Sequence, residues 1–257
     1  MTQKLILLCA VLAMFAGHAS AQRPIAPNKP VTVNKDLEIT QITDHGYVYT
    51  AWEQIGEWGR VGCNGMVIVS DGKAFLMDTP MSESQTIELA SWFDRELGVR
   101  FESFAPGHWH EDCVGGLPWL NRQGVKTYAL DQTNAILAAQ KKEQAKECFK
   151  DSLTLTVGDL RVELYFLGGG HATDNIVGWI PSEKILFGGC MLKDLEATNI
   201  GNTSDAAPLE VWRKTVGAVE QQFPDARIII PGHGKIGGKE LFTRTKEIID
   251  QTLSSPL

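Results

Sequence analysis

The stretch P106-G-H-W-H-E-D-C-V-G-G116 decides how this chain is read. His108, His110 and Asp112 stand two residues apart. On an extended backbone, residues two apart project to the same side, and a turn would swing Asp112 toward a neighbouring point. Imidazole nitrogen and carboxylate oxygen both suit a divalent metal. Gly115 and Gly116 are expected to let the chain turn out of the loop, because glycine accepts positive φ without a steric penalty. Two histidines and an aspartate are only suggestive, so the argument turns on what the rest of the chain supplies.

Working outward, three further loops each follow an apolar, strand-like run. His171 lies in Gly168-Gly169-Gly170-His171-Ala172-Thr173-Asp174-Asn175, Cys190 in Phe187-Gly188-Gly189-Cys190, and His233 in Pro231-Gly232-His233-Gly234. Taken alone, a histidine is more often a hydrogen-bonded core or surface residue than a ligand, and that reading fits His45. It fits poorly for four histidines at glycine-flanked strand ends. Six ligand-type residues divide into two sets of three, each leaving an open position of the kind catalytic zinc sites keep. Two such ions, roughly 3.5–4 Å apart, can clamp a reacting group between them.

The chain has 257 residues, 43% of them hydrophobic and 21% charged, with a formal charge of −7. These are the proportions of a globular protein. No basic stripe suggests a nucleic-acid surface. Residues 1–21 combine Lys4, an apolar run from Leu5 to Ala16 too short to span a bilayer, and Ala19-Ser20-Ala21. This reads as a secretory signal peptide cut after Ala21, leaving one domain over 22–257 and a periplasmic protein with no membrane anchor. The cut removes His18 and Cys9. Among the cysteines left, Cys63, Cys113 and Cys148 could supply one or two disulfides in an oxidising compartment.

The pattern predicts strands over Val31–Thr43 and Tyr47–Trp52, joined by a turn at Asp44, His45 and Gly46. Glu53–Cys63 is glycine-rich and holds Trp58, either a flap over a site or a hairpin tip with the indole folded onto the core. Strands follow at Asn64–Ser70 and Lys73–Asp78. Ser82 and Gln85 resemble a capping box opening a helix to about Leu97. A strand at Phe101–Ala105, a helix at Val114–Arg122, a strand at Val125–Leu130 and a polar helix at Thr133–Phe149 come next. Strands then occupy Leu153–Val157, Leu160–Phe166, Asn175–Ile180, Lys184–Phe187 and Ala226–Ile230, with helices over Pro208–Phe223 and Lys239–Leu253. This order suggests an α/β protein with two mixed β-sheets face to face and helices outside.

Together with Asn64-Gly65-Met66, Leu76-Met77-Asp78-Thr79-Pro80 and the Asn199 to Ala206 run, these loops resemble the metallo-β-lactamases of subclass B1, and in particular the chromosomal carbapenem-hydrolysing enzymes of Bacteroides. The resemblance covers nearly the whole chain after residue 21. It implies the αββα sandwich, with two Zn2+ ions at one edge between the sheets. His108, His110 and His171 would hold the first ion, and Asp112, Cys190 and His233 the second. Asp112, Lys193 and Asn202 would be the catalytic residues. Lys193 would receive the substrate carboxylate, Asn202 would polarise the lactam carbonyl, and Trp58 would lie on the substrate flap.

The implied reaction is attack of a zinc-activated hydroxide on the β-lactam of penicillins, cephalosporins and carbapenems, in a monomer conferring antibiotic resistance. Asp78 would orient a ligand histidine, or else bond to backbone at its strand end. Cys113 stands where many relatives in the superfamily, such as glyoxalase II and the lactonases, carry a histidine, and where other B1 members carry an arginine. Two other readings stand beside this one: an exported hydrolase of the same fold acting on a thioester or lactone, and a non-catalytic zinc-binding protein.

Overall fold

The computed structural model describes residues 28–254; the signal peptide expected over 1–21 lies outside them. One sheet has eight strands in sequential order: β1 (Val31–Asn34), β2 (Leu37–Gln41), β3 (Gly46–Ile55), β4 (Gly59–Ser70), β5 (Lys73–Met77), β6 (Arg100–Ala105), β7 (Lys126–Leu130) and β8 (Glu147–Phe149). The other has five. It runs from β9 (Ser152–Val157) through β10 (Leu160–Tyr165), β11 (Val177–Ile180) and β12 (Ile185–Gly189) to β13 (Ile228–Pro231). Both are mixed: β5 to β8 pair in parallel, as do β12 and β13.

Among the described residues, six α-helices complete the fold: α1 (Glu83–Leu97), α2 (Glu111–Val114), α3 (Leu117–Arg122), α4 (Asp131–Ala139), α5 (Leu209–Gln222) and α6 (Glu240–Ser254). The layering follows from strand alternation. On β4, Met66 and Ile68 point inward and pack with Phe75, Val162, Ile185 and Phe187 between the sheets. Val67 points the other way, into a cluster with Leu89, Phe93, Leu117 and Leu120 beneath α1 and α3. Leu186 and Ile229 do the same on the second sheet, meeting Trp212, Val216, Phe242 and Ile249 of α5 and α6. A side-chain period of two buries both faces of each sheet, which yields the expected α/β, αββα sandwich.

Three local expectations are corrected. The first predicted strand is two, because the Asn34 side chain accepts a hydrogen bond from the Asp36 N–H at 2.7 Å and turns the chain. The helix expected at Thr133–Phe149 stops at Ala139, and Glu147–Phe149 is a strand paired with β7. Asn134 explains the break: its amide donates to Ala145 O at 2.8 Å and accepts from Ala145 N–H at 2.9 Å, tying the returning segment against α4. Helix-favouring Ala, Gln and Lys residues are overridden by this contact. The helix expected over Val114–Arg122 is divided into α2 and α3 by Gly115 and Gly116.

Those two glycines do not take positive φ, at −56° and −94°. Their need is close approach: a Cβ on Gly115 would overlap the Met81 carbonyl, and one on Gly116 the Thr86 side chain. The pair lets the His108 loop lie flat on the start of α1. That start follows the capping prediction, with Ser82 Oγ accepting from Gln85 N–H. The Gln85 side chain does not return to the cap; its amide donates to Trp52 O.

Candidate active site

Six loop residues meet at one edge between the sheets because backbone and side-chain bonds staple the loops together. Ile176 N–H donates to Gly107 O at 2.8 Å, joining the His171 loop to the His108 loop. Asn64 on β4 anchors the His233 loop: its side chain donates to Pro231 O and Gly234 O, both at 2.9 Å, and accepts from Thr50 Oγ1 at 2.8 Å. Gly232 lets that loop lie against Cys190, where a Cβ would strike the sulfur.

His108 Nε2 lies 2.9 Å from His110 Nδ1, which in turn lies 3.2 Å from His171 Nε2. Nearby, His233 Nε2 is 3.4 Å from Asp112 Oδ2 and 3.4 Å from Cys190 Sγ, and Cys190 Sγ is 3.6 Å from Asp112 Oδ2. Tetrahedral zinc with bonds of about 2.0–2.1 Å to N or O and about 2.3 Å to sulfur places its ligands about 3.3–3.6 Å apart. The second group has the spacing of a tetrahedral zinc face. The first, at 2.9 and 3.2 Å, is slightly tighter and would open by a few tenths of an ångström around an ion, so the donor chemistry of both groups suits zinc.

The outer partners settle which ring nitrogen faces inward. His233 Nδ1 sits 2.9 Å from Gly62 O, which can only accept, so Nδ1 carries a proton and Nε2 is the nitrogen turned toward Asp112 and Cys190. Burial opposes the charged ring, but those two acidic groups override it and raise the His233 pKa in the metal-free protein, so an ion must displace the Nε2 proton on binding. His110 Nε2 sits 2.6 Å from Asp205 Oδ2, leaving its Nδ1 lone pair toward His108 and His171. His108 Nδ1 faces Cys113 Sγ at 3.2 Å. His171 Nδ1 is buried without a hydrogen-bond partner among the described residues.

Burial, reinforced by neighbouring imidazoles, pushes His108 down to about 3 and His171 further still, so both rings are neutral at neutral pH, as metal ligation requires. Burial opposes the Asp112 carboxylate, but the His233 hydrogen bond and the adjacent imidazoles override it and hold Asp112 well below the usual range. Burial pushes the Cys190 thiol up to about 11 without metal, so an ion must displace its proton on binding.

Asp78 takes the backbone role at its strand end, accepting from Gly107 N–H at 2.5 Å. It also hydrogen-bonds the Cys113 thiol. Because Cys113 in turn contacts His108, Asp78 reaches a candidate ligand only through that thiol. Burial raises Asp78 to about 8. His45, set aside as a ligand, instead pairs with Glu183 at 2.8 Å. Cys63, Cys113, Cys148 and Cys190 are all free thiols, so the one or two disulfides considered for the first three are not formed.

A cavity of about 770 Å³ opens beside the cluster. Ile55, Trp58 and Val61, at the tip of the β3–β4 hairpin, form one wall, and Trp58 is 67% exposed rather than folded onto the core. Lys193 and Asn202 line the cavity along with His110, Asp112, His171 and His233. The Lys193 ammonium sits 5.6 Å from the centre of the Trp212 ring, and burial lowers its pKa. Asn202 Oδ1 accepts from Ser204 N–H at 3.0 Å, leaving its NH2 free to donate.

The structure thus gathers all nine residues singled out from the sequence. It adds Asp205 and Asn64, which had been assigned no role of their own, and Cys63, which had been considered only for a disulfide. Asn64 and Asp205 lay within recognisable segments, but their partners are 167 and 95 residues away, and spacing along the chain gives no signal of such bonds. A thiol next to the Asn64 segment was a visible signal for Cys63.

No family model matches the chain. It is 44% identical over 231 residues to a curated metallo-beta-lactamase type 2 from Bacteroides fragilis, covering 90% of this chain and 92% of that protein. A second curated protein of the same name, from Pseudomonas aeruginosa, is 33% identical over 95% of this chain and 93% of its own length. The solved structure of TMB-1 superposes with a TM-score of 0.81 at 38% identity, over 86% of this chain and all of the other. With the fold, the donor geometry and this similarity over nearly its full length, the chain belongs to the metallo-β-lactamase family and is a β-lactam hydrolase.

Proposed function

We propose that this enzyme hydrolyses penicillins, cephalosporins and carbapenems with two zinc ions, and so confers antibiotic resistance. The observation that carries the reading is the pair of three-donor faces beside one cavity. His108, His110 and His171 hold the first ion, and Asp112, Cys190 and His233 the second. When bound, the ions supply Lewis acidity and a water acidified to near-neutral pKa.

The chain's own groups do the remaining work. Lys193 pairs with the substrate carboxylate, a charge-assisted contact that fixes orientation. Asn202 directs its free NH2 at the lactam carbonyl oxygen, where a donor of this kind contributes roughly 3–4 kcal/mol as negative charge develops. Asp205 and Gly62 O hold the His110 and His233 rings in the tautomers that ligation needs. Trp58, Ile55 and Val61 give an apolar cover that excludes water from the bound ring.

The protein acts as a monomer, exported to the periplasm through its leader and free of a membrane anchor or nucleic-acid partner. The acidic net charge supports the last point. Among the described residues no helix is long and apolar enough to cross a membrane.

Turnover of a carbapenem against S-lactoylglutathione and a simple lactone tests the reading. Carbapenem hydrolysis with neither alternative turned over is expected; preferential thioester or lactone cleavage would overturn it. Cys113, in the place where many thioester and lactone hydrolases of this fold put a histidine, favours the β-lactam.

A further inference from the structure

One more side chain of metal-binding chemistry stands beside the candidate centre. Cys63 on β4 is 2% exposed and forms no disulfide. Its sulfur, a carboxylate oxygen of Asp112 and a ring nitrogen of His233 all lie within 4.8 Å of one another.

The placement has a structural cause. Gly62 O fixes His233 Nδ1, and Asn64 N–H donates to Gly232 O at 2.8 Å, so the residues on both sides of Cys63 grip the His233 loop. The thiol is thereby held within 4.8 Å of a His233 ring nitrogen. Cys190 Sγ touches that imidazole too, at 3.4 Å from Nε2. Two buried thiols therefore lie beside one histidine.

We propose that Cys63 is a fourth protein ligand of the second metal position, joining Asp112, Cys190 and His233. The inference rests on the zinc reading above. Ligation forms one sulfur–metal bond and releases the thiol proton to solvent. Two thiolates bias the position toward zinc and softer ions such as cadmium, and away from magnesium or manganese. Four protein donors close the second position in the resting protein, while the first, with three imidazoles, stays open toward the cavity. Loss of Cys190 then leaves a Cys63–Asp112–His233 set that still retains an ion.

Cobalt(II) loaded into the purified protein reads this directly, through thiolate-to-cobalt charge-transfer absorption in the near ultraviolet. Cys63→Ser and Cys190→Ser are each expected to lose about half of that absorption, the double variant all of it, and Cys113→Ser none. Unchanged absorption in Cys63→Ser with complete loss in Cys190→Ser would overturn the proposal and leave the zinc reading intact. Absence of any cobalt spectrum from the unaltered protein would overturn the zinc reading and the proposal with it. Cadmium-113 NMR of the unaltered protein gives the same answer without a substitution: a two-thiolate shift is expected, and a one-thiolate shift contradicts it.

Discussion

Asp205 Oδ2 lies 2.6 Å from His110 Nε2, and this contact decides which nitrogen His110 turns toward His108 and His171. A carboxylate at this distance accepts a hydrogen bond from Nε2–H, fixing the ring's orientation and leaving Nδ1 as the nitrogen able to bind a metal. Asp205→Ala is expected to lower zinc affinity by roughly 10- to 100-fold, the usual cost of removing such an outer partner. Asp205→Asn, which still accepts through its carbonyl, should recover part of the loss. Competition with a chromophoric chelator measures both, and equal affinity in all three proteins would contradict the assignment.

Asn64 is the staple between β4 and the His233 loop. Asn64→Ala removes three side-chain hydrogen bonds and leaves the Pro231 and Gly234 carbonyls without that donor. A loss of about 2–4 kcal/mol is expected in urea unfolding of the metal-free protein. A change under 0.5 kcal/mol would show that the loop is held by other contacts.

Lys193 tests substrate orientation separately from metal binding. Lys193→Ala should lower kcat/KM for β-lactams by roughly 10- to 100-fold, the equivalent of one charge-assisted hydrogen bond. Zinc content should not change. A variant that loses zinc rather than substrate affinity would move Lys193 from the substrate to the metal.

Asp174 gives a pH signature. It is fully buried, its Oδ2 accepts from Thr133 Oγ1 at 2.7 Å, and burial raises its pKa to about 6. Below the ordinary carboxylate pKa both states are protonated and no penalty arises. Between about pH 4 and pH 6 the unfolded chain gives up the proton while the folded one keeps it, so this group erodes stability as pH rises. Asp174→Asn should flatten that slope in urea midpoints of the metal-free protein. An unchanged slope would refute the account.

Much of this was legible from residue order. Alternating apolar runs on β4, β5 and β12 and the cap at Ser82 marked the layers, because a period of two and a side-chain cap are local properties. Glycine-flanked histidines marked the centre for the same reason. What was hidden depended on distant partners. Asn134 breaks a helix by pairing with Ala145, and Gly115 and Gly116 answer the approach of α1 rather than the demands of their own turn. Asp205 is an unremarkable loop acid until the fold brings His110 to it.

The most direct measurement pairs two readings on one sample: zinc per chain and the rate of imipenem hydrolysis, followed together through chelator titration and zinc return. The account predicts that hydrolysis falls to background as zinc leaves and recovers as the metal is restored, with saturation at two ions per chain. Full hydrolysis in a sample free of metal would contradict it.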